Sequence, residues 1–234
     1  MEQIRLVATD EHLHLDLGRP CPVLGSCVLG GGLGVARHVL NLRVDANLAG
    51  DSLRFPVPET TLREYCSVQG WEGAALGMMT AASMKSIRTA RLEEDGLAVL
   101  AAVTAGLTNA RRAGDPAECR DMPTAAPPPG TINIIVVLGA SLPPAALVEA
   151  VITITEAKAA VLQDMGVTSR TTGLPATGTG TDAVAVAALG GREAAYCGKH
   201  VLAGELTARA VMQALAASLE WYATNGPRWE GPWA

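Results

Sequence analysis

The chain has 234 residues, 18 Lys and Arg against 23 Asp and Glu for a net charge of -5, and 49% hydrophobic residues with only 3% aromatic. That length suits one domain whose core is built mostly from Ala, Val, Leu and Ile. An acidic balance without a basic run excludes an electrostatic footprint for nucleic acid, no apolar stretch is long enough to span a bilayer, and Met1 to Thr9 lacks the basic-then-apolar pattern of a secretion leader, so the expected compartment is the cytoplasm.

The first segment, Ile4 to Leu17, alternates as two strands turning at Asp10 and Glu11. In its second half His12, His14 and Asp16 face one way and Leu13, Leu15 and Leu17 the other. Three such residues on a strand face can hold a metal, but the expectation is a half-exposed strand with a wet side. Gly30 to Gly34 follows the apolar Val28 and Leu29. Its spacing misses the dinucleotide fingerprint, with Arg37 where the third glycine belongs, so it reads as a flexible turn. His38 and Asn41 then sit in a strand-like run, where His38 is either a structural histidine or a base. Pro58 to Ser67 predicts a short helix closed by Gly70, and Met78 to Ser83 is small and apolar. Ser86 to Leu107 predicts a hairpin turning at Glu94, Asp95 and Gly96, with Leu97 to Thr104 as its buried strand. The exit from that strand carries Asn109, Arg111 and Arg112. The two arginines suit either a bound carboxylate or phosphate, or a solvated loop.

Residues 115–129 are proline-rich and read as a surface loop or internal linker. Ile132 to Leu138 is β-branched and apolar, the pattern of a strand buried on both faces. A helix begins near Pro143, with Leu147, Val151, Ile154, Val161 and Met165 as its buried stripe. Lys158 falls on that stripe, and a buried lysine costs several kcal/mol unless a carboxylate meets it. Glu149, Thr153, Glu156 and Gln163 form a polar stripe. Glu156 points about 160° away from Lys158 and cannot be that carboxylate. Thr177 to Asp182 then alternates Thr and Gly up to the Asp, a run of backbone N–H groups and hydroxyls suited to contacting something polar. A second buried strand covers Ala183 to Ala188. Gly190 and Gly191 turn the chain, and Arg192 to Cys197 is read as another strand. The last helix runs from about Ala203 to Ala223, with Glu205 in its first turn, where an acid is favoured by the helix dipole. The tail, residues 224–234, is irregular and is read as clamping the body or a neighbouring subunit, which leaves a homo-oligomer open. Five cysteines, Cys21, Cys27, Cys66, Cys119 and Cys197, are odd in number and lack CxxC spacing, so they read as reduced structural thiols rather than a zinc site. Together these elements predict a single compact α+β domain over residues 1–234, a mixed β-sheet with helices packed on it.

Four separated words in order, GTIN (Gly130 to Asn133), TEAK (Thr155 to Lys158), ATGTGTD (Ala176 to Asp182) and GKHVLAGEL (Gly198 to Leu206), resemble the adenosylcobinamide amidohydrolase family of corrinoid salvage. The likeness is strongest from about Gly130 to Leu206 and fainter through GLTNARRAGD (Gly106 to Asp115) and the stretch holding His38 and Asn41. It implies hydrolysis of the amide that joins cobyric acid to aminopropanol, with the corrinoid as substrate. No cofactor and no metal ligands are expected from the sequence, which leaves the metal requirement open. The candidate substrate contacts are Asn133, Thr177, Gly178, Thr179, Gly180 and Thr181, with Asn109, His38 and Asn41 less firmly placed. Base and acid are sought among Asp182, Glu156, His200 and Glu205, with Lys158 holding one carboxylate ionised. There is no GxSxG elbow, and no Cys shares a motif with a His. Attack by an activated water is therefore the first expectation and a threonine nucleophile the second, with the Gly178 to Thr181 backbone as oxyanion donor. Two other classes stay open. One is a binding module for a corrinoid or nucleotide without chemistry. The other is a self-cleaving acyl-transfer enzyme in which Thr131, after Gly130, is freed as an N-terminal nucleophile.

Overall fold

A computed structural model describes residues 1, 4–44, 57–117 and 130–226. Most of the proline-rich loop, Cys119 and the tail beyond Gly226 lie outside them. Among the described residues ten strands and three α-helices follow one another as β1 (Arg5–Ala8), β2 (His12–Gly25), β3 (Gly32–Arg43), α1 (Pro58–Val68), β4 (Ala75–Thr80), β5 (Arg88–Glu94), β6 (Leu97–Ala105), β7 (Ala110–Arg111), β8 (Ile132–Ser141), α2 (Pro144–Asp164), β9 (Gly178–Thr179), β10 (Ala183–Glu193) and α3 (Leu202–Asn225).

The strands form an eight-stranded mixed sheet in the order β4-β3-β2-β10-β8-β6-β5, with β1 paired to β2, and β7 and β9 make a separate two-stranded ribbon. The predicted hairpin closes as expected. Glu94 pairs with Leu97, and Asp95 and Gly96 take φ of 49° and 74°, the left-handed geometry that a two-residue turn of this twist requires. Parallel pairing joins β8 to β10 and β3 to β4. Each such pair needs a crossover, supplied by α2 and α1 respectively.

The sheet folds back on itself. Leu13, Leu15 and Leu17 of β2, Val39 of β3 and Met78 of β4 pack in one cluster with Ala102 of β6, Ile135 and Val137 of β8 and Ala185 and Ala187 of β10. Strands that are remote in sheet order therefore lie face to face, and this layer is the interior between the two halves. The opposite face of β6, β8 and β10 (Val103, Ile134, Val136, Val186) packs against α2 and α3 through Leu147, Ile154, Val211 and Leu215. Strand β8 is buried on both faces for this reason, as its mostly apolar run predicts, with Asn133 the one polar residue between Ile132 and Leu138. On the outer face of β3 and β4, Leu40 and Leu42 meet Leu62 and Cys66 of α1. A polar network crosses the interior: Asn41 Nδ2 donates to Thr104 Oγ1 at 2.9 Å, and Asn133 Nδ2 donates to Asn41 Oδ1 at 2.8 Å and to the Met79 carbonyl at 2.9 Å. Asn133 Oδ1 has no hydrogen-bond partner among the described residues.

The structure corrects several expectations. The wet side of β2 is covered: His12 and His14 are 7% and 6% exposed. His14 stacks on Trp71 with ring centroids 3.6 Å apart and its Nε2 is 3.1 Å from His38 Nδ1, while His12 Nδ1 lies 2.8 Å from the Tyr65 hydroxyl. Alternation shows which residues share a face, but the cover comes from α1 and Trp71, more than fifty residues downstream. Asp16 is held by Arg37 at 3.0 Å. That hydrogen-bonded guanidinium brings its carboxyl down to about 2. Among the described residues no group of three or more His, Cys, Asp or Glu is placed to hold a metal. Strand β2 runs on to Gly25 through a register shift, and Gly32 to Gly34 already belong to β3 rather than to a flexible turn. Gly190 and Gly191 do not end the strand. They form a bulge after which Arg192 and Glu193 rejoin β8 opposite Ala140 and Ser141, so β10 stops at Glu193 and no further strand reaches Cys197. Helix α3 extends two residues beyond Ala223, into the stretch read as tail.

Burial, reinforced by the neighbouring His38, lowers His14 to about 4, and burial also lowers His12. A depressed histidine pKa means that the unfolded chain binds the proton more tightly. The stabilisation is complete above the unfolded value near 6.5 and is lost as pH falls from there towards 4. Melting temperature is expected to decline over that window, and His14→Phe, which keeps the stack on Trp71, is expected to flatten the decline when melts are followed by circular dichroism.

Candidate active site

The two parallel strands β8 and β10 start side by side, and the loop before β10 folds over the start of β8. What fixes this loop is Asp182. Its Oδ1 accepts from the Ile132 N–H at 3.0 Å and from Thr179 Oγ1 at 2.5 Å, and its Oδ2 accepts from the Thr179 N–H at 3.0 Å and from Lys158 Nζ. Lys158 and Asp182 form an ion pair whose side chains are 9% and 10% exposed. The carboxylate demanded by the lysine on the apolar stripe of α2 thus comes from the Gly/Thr loop. Desolvating two charges costs several kcal/mol per ion, and the additional donors on Asp182 are what make the burial tolerable. A Cβ at Gly178 would run into both Asp182 Oδ2 and Lys158 Nζ, so only glycine lets the loop pass over the pair.

Two hydroxyls of the loop reach the start of β8. Thr181 Oγ1 donates to the Gly130 carbonyl at 2.9 Å and lies 2.6 Å from Thr131 Oγ1. Thr179 Oγ1 is 3.4 Å from the same carbonyl, but its one proton serves Asp182 at 2.5 Å. Thr131, Thr181 and Asp182 line a cavity of about 300 Å³ together with Ser26, Met78 and Thr80. A second cavity, of about 470 Å³, opens between Lys85, Thr108, Trp221 and Tyr222. Gly130 and Ala81 belong to the walls of both, so the 130–131 peptide stands between two lobes of one cleft.

The remaining predicted residues divide by location. Thr177 ties the loop to the β7 segment, its hydroxyl accepting from the Ala113 N–H at 2.8 Å. Gly180 and Gly130 both pack against Asn109, which brings Asn109 to the back of the loop. Asn133 and Asn41 lie in the polar network beneath the cleft, each 1% exposed. His38 is sealed on the outer face, where its Nε2 is 3.0 Å from the Glu72 carbonyl. Arg111 and Arg112 bond the carbonyls of Pro116 and Pro175. Glu156 is on the exposed side of α2, paired with Lys199. Glu205 pairs with Arg209 at 3.0 Å, and Arg209 reaches Glu94 at 3.7 Å, beside the β5–β6 turn. At 1.5 Å per residue, Glu205 lies about 25 Å along α3 from Tyr222 in the cleft wall, and His200 precedes it. None of Glu156, His200 and Glu205 is among the hydrogen-bond partners of Asp182 or in the walls of the two lobes. Thr131 is the residue at the mouth that the list of candidate contacts omitted. Its signal was the Gly-Thr pair just before an apolar strand.

Hydroxyls converging on a carbonyl beside a buried lysine–carboxylate pair, in a two-lobed cleft, define a hydrolase-like site on an α+β scaffold. A model of the adenosylcobinamide amidohydrolase family matches residues 1–226. A Methanosarcina mazei protein named adenosylcobinamide amidohydrolase is 32% identical over 82% of this chain and 87% of its own. An uncharacterized Methanocaldococcus jannaschii protein is 36% identical over 61% of each chain. Among solved structures, a Burkholderia β-aminopeptidase overlaps 89% of this chain and 78% of its own at 16% identity and a TM-score of 0.46, too loosely to transfer fold or function. The chain belongs to the adenosylcobinamide amidohydrolase family and is an amidohydrolase.

Removing one member of a buried pair typically costs 3–5 kcal/mol because the other charge is left alone. Lys158→Met is expected to destabilise by about that amount, with Lys158→Met/Asp182→Asn recovering part of it. Additive losses in chemical denaturation of the two single variants and the double would contradict the pairing.

Proposed function

We propose that the chain hydrolyses the carboxamide joining cobyric acid to aminopropanol in adenosylcobinamide, releasing adenosylcobyric acid for cobalamin salvage. The observation that carries this reading is the family match over nearly the whole chain, joined to a relative bearing that name. Water adds across the C–N bond: the acyl carbon takes the hydroxyl and the departing amine takes a proton. An amide resists this strongly, so the site must supply a nucleophile, a donor for the developing oxyanion and a proton for the amine.

The mouth beside Asp182 suits these needs. The loop carries backbone N–H groups and the Thr181 hydroxyl on a turn that Asp182 and Lys158 hold in one conformation, which is the preorganisation that oxyanion stabilisation requires. Cavities of about 300 and 470 Å³ meeting at Gly130 suit the aminopropanol end and the amide that links it, with the bulk of the corrin ring outside the mouth. Four described cysteines, Cys21, Cys27, Cys66 and Cys197, are unpaired and buried. Their reduced state fits a cytoplasmic protein. No helix among the described residues is long and apolar enough to cross a membrane.

Incubation with adenosylcobinamide is expected to give adenosylcobyric acid and free aminopropanol by mass spectrometry. Unchanged substrate would favour a binding module instead. Asp182→Asn is expected to lower kcat/KM at least about a hundredfold, the scale of a small misplacement of reacting groups. Near-wild-type turnover in a folded variant would take Asp182 out of the reaction.

A further inference from the structure

We infer that the chain cleaves its own Gly130–Thr131 peptide bond and that Thr131, so freed, is the nucleophile towards the substrate amide. The first half stands on the geometry at the start of β8. The second rests on the amide-hydrolysis reading above.

Each hydroxyl has one proton. Thr181 donates its own to the Gly130 carbonyl at 2.9 Å, so in the 2.6 Å contact between the two threonines it is Thr131 Oγ1 that donates to Thr181 Oγ1. The nucleophilic oxygen, a proton carrier and the carbonyl to be attacked are thus already linked in a chain. As Thr131 Oγ1 bonds to the Gly130 carbonyl carbon, its proton passes to Thr181 Oγ1 and the Thr181 proton passes to the carbonyl oxygen, giving an uncharged five-membered adduct. Collapse of the adduct breaks the C–N bond and moves the hydroxyl proton to the Thr131 nitrogen. The product is an ester of Gly130 on Thr131 with a free α-amine. One water then hydrolyses the ester to the Gly130 carboxylate and restores the Thr131 hydroxyl. In sum one peptide bond and one water are consumed.

The surroundings favour this bond over others. Asp182 Oδ1 holds the Ile132 N–H and so pins the chain directly after the cleavage point. A Cβ at position 130 would come within 2.5 Å of Asn109 Oδ1 and 2.6 Å of Thr108 Oγ1, so any larger residue on the acyl side would have to displace both side chains. Breaking the bond frees Gly130 from the wall it shares between the two cavities and leaves the Thr131 amine and hydroxyl facing the cleft. An α-amine has a pKa of about 7.7–8.0. Near neutral pH it can take the Thr131 hydroxyl proton as the substrate acyl group is transferred, and give that proton to the departing aminopropanol.

The test is the intact mass of the purified, active protein under denaturing conditions, with N-terminal sequencing of its chains. Two chains are expected, one beginning at Thr131, with masses summing to the uncleaved value plus one water. Thr131→Ser should still process. Thr131→Val, close to threonine in shape, should give a folded, uncleaved chain with turnover of adenosylcobinamide lost at least a thousandfold, and Thr181→Ala should slow processing at least tenfold. An uncleaved wild-type chain that turns over adenosylcobinamide overturns the inference and leaves the proposed activity standing, as does cleavage that persists in Thr131→Val. A chain cleaved at Thr131 but inert towards adenosylcobinamide sinks the proposed substrate and leaves the self-cleavage intact. If Thr131→Val melts well below wild type, Thr131→Ser decides: processing abolished in that variant overturns the inference.

Discussion

The buried pair of Lys158 and Asp182 is the constraint on which the cleft depends. Neither charge would be tolerated in its position alone, because the desolvation cost of each exceeds most single contributions to stability. Together with the two Thr179 groups and the Ile132 N–H, they turn a loop of glycines and threonines into one defined conformation. Such a loop has little apolar surface of its own and would otherwise pay its ordering entropy without return. The pair also ties three elements at one point: α2 through the lysine, the entry to β10 through the carboxylate, and the entry to β8 through the backbone. Whatever the hydroxyls at the mouth do, they do it from positions set by this knot.

A second constraint keeps the mouth open to a fixed depth. The sheet doubles over so that β3 and β4 face β6 and β8, and an apolar interior alone would let the two halves slide. Asn41, Thr104 and Asn133 cross that interior with hydrogen bonds of defined geometry, and these lose most of their worth if the register shifts. The uncompensated Asn133 Oδ1 shows that the network is held at some cost, of the order of 1–3 kcal/mol for a buried acceptor without a donor. Asn133 lies two residues after Thr131, at the start of β8. Stability is thus spent close to the cleft on specificity of alignment.

How much of this could be read from the sequence follows the range of each interaction. Local signals succeeded: the Asp95–Gly96 turn, the doubly buried β8 and the lysine on the apolar stripe of α2 depend on neighbours within a few residues. The partner of Lys158 was not fixed by the pattern, since the helix stripe demands a carboxylate without saying which one. The cover over His12 and His14 was missed because a two-residue period identifies a face and cannot reveal that Trp71 will stack on it. His200 and Glu205 share a motif word with each other, yet a motif measures distance along the chain, and neither residue is in the walls of either lobe. The Gly190–Gly191 pair reads equally as a turn or a bulge, and only pairing with β8 decides.

The chemistry at the mouth has a consequence for where a base can come from. Asp182 accepts from four donors and has no lone pair directed at the cavity without giving one of them up. Of the described residues lining the smaller lobe it is the only one with an acidic or basic side chain; the others offer hydroxyls, backbone and apolar side chains. A threonine hydroxyl is a weak nucleophile unless a neighbour removes its proton. With the histidines elsewhere in the fold, the group of suitable pKa that this lobe can acquire from its own chain is the α-amine of Thr131. The buried lysine–carboxylate pair then serves as an anchor for the strand end that bears that amine. A site rich in hydroxyls and poor in titrating side chains is, on this view, complete once the Gly130–Thr131 bond is cut.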